Sequence, residues 1–110
     1  MEGAARVTHT RGMADVDVRD VPERQRFEAV GPDGAVLGVA EYERRPGVVV
    51  FTHTEVDPRQ EGHGIGSTLV RSALDLVRAS GDRIEPACPF VRAFVAEHPD
   101  YADLVAGTGD

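Results

Sequence analysis

Val56-Asp57-Pro58-Arg59-Gln60-Glu61-Gly62-His63-Gly64-Ile65-Gly66-Ser67 decides how this chain folds. Ahead of it, Val48 to Val56 is a run rich in β-branched residues and reads as a central strand. Behind it, Ile65, Leu69, Ala73 and Val77 recur at helical spacing, widened by Val70, Leu74 and Leu76, so Ile65 to Ser80 reads as an amphipathic helix. Three glycines stand between the two. Glycine accepts a positive φ and lets a ligand come close to the main chain. The first N–H groups of a helix lack internal partners and carry the positive end of its dipole. Strand, glycine turn and helix start together make a cradle for an anion, best suited to a phosphate or diphosphate.

Working outward, Arg26 to Val30 and Ala35 to Glu43 read as two strands. Gly31-Pro32-Asp33-Gly34 joins them into a hairpin, with Phe27 and Ala29 on one face of the first. Arg44-Arg45-Pro46-Gly47 turns the chain into Val48–Val56. Val16-x-Val18 is a weak strand, followed by a turn at Asp20-Val21-Pro22. On the other side, Ser80-Gly81 stops the long helix. Arg83 to Ala87 is a short strand that follows a helical crossover and so pairs parallel with Val48–Val56. Pro89, favourable at a first helical position, opens a second helix to about Glu97. Phe90, Val91, Phe94 and Val95 form its apolar face, and Pro99 ends it. The expected order is β-β-β-helix-β-helix. That is an α/β (α+β) mixed sheet, an antiparallel meander followed by one parallel βαβ unit and a C-terminal helix, and not a doubly wound one.

A chain of 110 residues is one domain. Residues 1–13 read as a disordered leader, 14–106 as the single domain, and 107–110 as a frayed end. The formal charge is −7, every basic residue is Arg, and there is no polybasic run. That argues against nucleic acid or an anionic membrane as a partner. No segment approaches the ~20 apolar residues of a membrane span, and no apolar run follows the N-terminal arginines, so a cytoplasmic protein is expected. A monomer or weak homodimer is expected as well. Cys88 stands alone, which excludes an internal disulfide. The four histidines are far apart, so no metal site is expected.

Three phosphate-binding patterns compete for the glycine loop. A P-loop needs a Lys after its last glycine, and the chain has none. A dinucleotide fingerprint needs G-x-G-x-x-G, whereas Gly64 and Gly66 are followed by Leu69 in the third position. The third pattern is an acyl-coenzyme A loop. Glu61-x-x-Gly64-x-Gly66, between a central strand and a helix, resembles the [QR]-x-x-G-x-[GA] motif of the GNAT N-acetyltransferase superfamily. Glu61 departs from the usual Gln or Arg. Adding His53-Thr54-Glu55-Val56, Pro86-x-Cys88-Pro89-Phe90-Val91 and His98-Pro99-x-Tyr101, the chain resembles the small, YjdJ-type branch from roughly Asp15 to Leu104. The resemblance implies a GNAT-like fold that lacks the N-terminal substrate helices. It also implies acetyl-coenzyme A as cofactor and acetyl transfer to a small-molecule or protein amine. The alternative is an acyl-coenzyme A-binding module that acts through a partner with little turnover.

Under that resemblance Val56, Glu61, Gly62, His63, Gly64, Ile65, Gly66 and Ser67 hold the cofactor. An N–H near Glu55–Asp57 polarises the thioester carbonyl, and the parallel strands splay there. His53 and Glu55, two apart on a strand, share a face at its C-terminal end and are candidate bases. Cys88 sits between strand and helix, where the helix dipole favours a reactive thiol. It can accept the acetyl group, protonate the leaving thiolate or form a mixed disulfide with coenzyme A. Tyr101 is a candidate general acid. Each has a structural reading too: Cys88 as a small buried residue, His98 as a helix cap, Tyr101 as core. Arg59 and Arg92 are candidate counter-charges for the cofactor phosphates.

Overall fold

The computed structural model describes residues 16–60, 62 and 64–107. The elements are β1 (Asp17–Val21), β2 (Arg26–Val30), β3 (Val36–Arg45), β4 (Val48–Val56), α1 (Ile65–Ser80), β5 (Arg83–Pro86) and α2 (Pro89–Glu97). A 3₁₀ turn, Pro99–Leu104, follows. One sheet runs β1-β2-β3-β4-β5, antiparallel except for the parallel β4–β5 pair. The expected leader, residues 1–13, lies outside the described residues.

Two expectations are corrected. The meander has four strands, because Asp20 and Val21 do not turn but continue β1, opposite Phe27 and Arg26. The chain turns only at Pro22–Arg24, a single 3₁₀ turn closed by Gln25 at φ 54. Second, β3 runs on to Arg45, so Pro46 and Gly47 alone make the β3–β4 hairpin. Gly47 takes φ 74 there, as the tight hairpin turn requires. The segment between β1 and β2 holds no helix pair.

Cross-strand register sets the core. Phe27 of β2 lies opposite Ala40 of β3, and Tyr42 opposite Phe51 of β4, so their side chains share one face. Phe27, Tyr42 and Phe51 form an aromatic cluster with centroids 5.2, 5.9 and 6.4 Å apart. α1 lays Leu69, Ala73, Leu74 and Val77 onto the sheet, all buried. Each leucine contributes roughly 1.5–3 kcal/mol by leaving water. Gly81, at φ 85, ends α1 by returning its N–H to the carbonyls of Arg78 and Val77. α2 and the last 3₁₀ turn run alongside α1. Arg71 stands 5.5 Å over the Phe94 ring, and Tyr101 reaches Asp75.

Candidate active site at the open end of the parallel pair

β4 outruns its parallel neighbour. Pairing runs from Val48 opposite Arg83 to Phe51 opposite Pro86, and then β5 stops. Pro86 and Pro89 lack the N–H groups that would continue a ladder. Cys88 donates its N–H to the Phe51 carbonyl at 2.8 Å, and the chain then departs into α2. Beyond Phe51, β4 therefore has a strand partner on the β3 side alone, and a wedge opens on the other. Asp57 gives its N–H to the Leu37 carbonyl of β3 at 2.8 Å. Strand alternation then turns the Val56 N–H away from β3 and into the wedge.

A bulge decides which side chains enter the wedge. Glu41 lies opposite His53 and Tyr42 opposite Phe51, which leaves Thr52 as the extra residue. The bulge restarts the alternation, so Thr54 and Val56 turn to the α1 side with Phe51. The Val56 methyl lies against α1 together with Leu69. Thr54 Oγ1 lies 3.4 Å from Cys88 Sγ. His53 and Glu55 do share a face, as expected, with Nε2 3.5 Å from Oε1. That face is the exposed one, away from the glycine loop. No glycine or proline marks the bulge in the sequence, so plain alternation gave Thr54 no part in the site.

Among the described residues, nothing caps the start of α1. Gly62 and Gly64 take φ 87 and 75, as the cradle requires. Gly64 is the N-cap and supplies no capping side chain, and the first turn holds no acid. The first helical bond is Thr68 N–H to the Gly64 carbonyl at 3.0 Å. Among the described residues, no carbonyl accepts from the N–H of Ile65, Gly66 or Ser67. Glu61 and His63, both assigned to the cofactor on sequence grounds, lie outside the described residues. A cavity of about 320 Å³ joins this helix start to the wedge, between Thr54, Val56, Gln60, Gly64, Gly66 and Phe90. A larger hollow of about 620 Å³ lies beyond the Pro58–Gln60 turn, against Pro32, Leu37, Asp57 and Arg59. It contains neither the glycine turn nor Thr54, so the smaller cavity is the candidate site.

The remaining candidates fall into place around it. Cys88 is 3% exposed and is the N-cap of α2. Arg92 holds the turn before α2 through the Ala87 carbonyl at 3.0 Å. Asp57 caps its own turn by accepting the Arg59 N–H at 2.9 Å. That bond, with the Arg59 guanidinium, holds the Asp57 carboxyl below the usual range. His98 bonds the Phe94 carbonyl at 2.8 Å and stacks on its ring at 4.0 Å, as a helix cap does. Tyr101 is buried with its hydroxyl donated to Asp75 Oδ1 at 2.8 Å. Burial, then that bond, raises its pKa. The structure thus gathers Cys88, Val56 and the described glycine-loop residues, and adds Thr54 and Phe90. It leaves Tyr101 in the core beside the middle of α1. Phe90 escaped the sequence reading because a Phe at helical spacing is usually core.

Comparison with known proteins agrees with this fold. A family profile described as GCN5-related N-acetyl-transferase matches residues 26–104. Among solved structures, a GCN5-like protein from Staphylococcus aureus, determined in solution by NMR, superposes with a TM-score of 0.64. The two share 19% identity over 86% of this chain and 92% of that one, a likeness of fold. No curated protein matches the chain. With the profile spanning most of its length, this chain belongs to the GCN5-related N-acetyltransferase family.

Proposed function

We propose that this protein is an acetyl-coenzyme A-dependent N-acetyltransferase acting on an amine of a small molecule or an exposed protein group. The observation that carries the reading is the alignment of three features: uncapped amides at the start of α1, a wedge beside β4, and a thiol at its root. The residues present fit the cofactor. N–H groups with no partner among the described residues, two glycines at positive φ and no acid in the first turn suit a diphosphate. Bound there, acetyl-coenzyme A supplies an activated acyl thioester.

The chain's own groups divide the remaining work. The N–H groups of Ile65, Gly66 and Ser67 hold the diphosphate. The Val56 N–H, aimed into the wedge, polarises the acyl carbonyl. His53 and Glu55, on the exposed face, take the proton that the amine must lose, directly or through water. Cys88, beside the Thr54 hydroxyl, either gives its thiol proton to the departing sulfur or holds the acetyl group as a thioester. Mass spectrometry after incubation with acetyl-coenzyme A separates these, since only the second leaves an acetyl group that Cys88→Ala loses.

A second reading, a coenzyme A-binding module working through a partner, is favoured by the single 3₁₀ turn between β1 and β2. With no helices there, the acceptor side stays open. Turnover against a panel of amines decides between the two. For both, acetyl-coenzyme A is expected to raise the melting temperature of the wild type and not of Gly64→Glu. No shift at millimolar cofactor overturns both.

A further inference from the structure

Phe90 is one of two large apolar side chains left exposed among the described residues, at 41%. Leaving part of a Phe ring in water forgoes hydrophobic stabilisation. Its place is not arbitrary. It is the second residue of α2, two positions after Cys88, and it borders the cavity that connects Thr54 to the start of α1. Its ring lies against Gly66: a Cβ built on that glycine would stand 2.7 Å from Phe90 Cζ and 3.3 Å from Cε2. Gly66 is helical and, unlike Gly62 and Gly64, has no positive φ to explain it. Alanine is the better helix former at such a position. Something must require the missing methyl, and the nearest atoms are those of the ring.

We propose that Phe90 is the apolar wall of the channel for the pantetheine arm of coenzyme A, and that Gly66 is small in order to seat its ring. This rests on the reading above. The two ends of the cofactor site are the α1 amides and the Cys88–Thr54 pair, and the uncharged arm must cross between them. Phe90 touches the helix at one end and stands beside Cys88 at the other. The ring borders the same cavity as Thr54 and Val56 and gives the arm an apolar surface to lie along.

The test is binding of coenzyme A and of 3′-phosphoadenosine 5′-diphosphate, which keeps the diphosphate and lacks the arm, followed by NMR titration. Phe90→Ala is expected to weaken coenzyme A about tenfold and to leave the diphosphate fragment unchanged. Phe90→Leu, which keeps an apolar wall, should stay near wild type. Gly66→Ala should weaken coenzyme A when Phe90 is present and have little effect in the Phe90→Ala background. The proposal is overturned if Phe90→Ala weakens both ligands equally or neither. It is also overturned if the Gly66→Ala loss persists in full without Phe90, since the glycine would then serve the phosphates. A wild type that binds no coenzyme A removes the functional reading itself, and this inference with it.

Discussion

Cys88, Glu55 and Tyr101 show how far a residue's role can be read from its identity. All three were candidates for proton or acyl chemistry, and their surroundings separate them. Cys88 is buried against Thr54 at the root of the wedge, Glu55 is exposed beside His53, and Tyr101 is spent on Asp75. Glu55→Gln is expected to lower kcat roughly a hundredfold, the lower end for a positioned base, with the melting temperature unchanged. Tyr101→Phe should do the opposite: acetyl transfer at the wild-type rate, and stability lower by about 1 kcal/mol in urea titration for the lost hydrogen bond. A large loss of kcat in Tyr101→Phe would return that hydroxyl to the mechanism. The identities of these residues are plain in the sequence. Their directions are not, because a side chain's direction at Thr54 or Glu55 depends on the bulge at Thr52, a feature of the pairing and not of the residues themselves.

At the scale of elements, the legible parts are those with local chemistry. The bounds of α1 follow from Gly64 and Gly81, both left-handed caps, and those of α2 from Pro89 and Pro99. Gly81→Ala, forced to keep φ 85, should cost about 1–2 kcal/mol, measurable in the same titration. β1 was less legible, since Asp20 and Val21 look like a turn and are held as strand by tertiary bonds. Tyr42 of β3 donates its hydroxyl to Asp20, and Arg44 ties Asp20 at 3.2 Å and Asp82 at 3.4 Å. Burial, then the bond to Asp20, pushes the Tyr42 hydroxyl from 10.0 up to about 12. The folded state thus favours the protonated form. Its contribution is whole below about pH 10 and is lost as the pH climbs through about 12. Tyr42→Phe should flatten that segment of the stability–pH curve. An unchanged slope between those pH values would show that neither burial nor the bond to Asp20 favours the protonated Tyr42 in the fold.

The whole molecule is a sheet with α1 and α2 side by side and a wedge where β4 outlasts β5. The wedge follows from a difference in length that the sequence does show, Val48–Val56 against the shorter Arg83–Ala87, and β5 ends one residue sooner still, at Pro86. What the sequence could not show is that Phe90 crosses from α2 to the start of α1, because only the packed fold brings those helices together. The segment between β1 and β2 is a single turn and adds no helix over the wedge. The account turns on amides of the α1 start gripping a diphosphate. A ¹H–¹⁵N titration of the protein with coenzyme A tests this most directly. The largest shifts are expected at Ile65, Gly66 and Ser67, with smaller ones at Thr54, Val56 and Cys88. Unmoved signals at the α1 start, with binding recorded elsewhere or not at all, would contradict it.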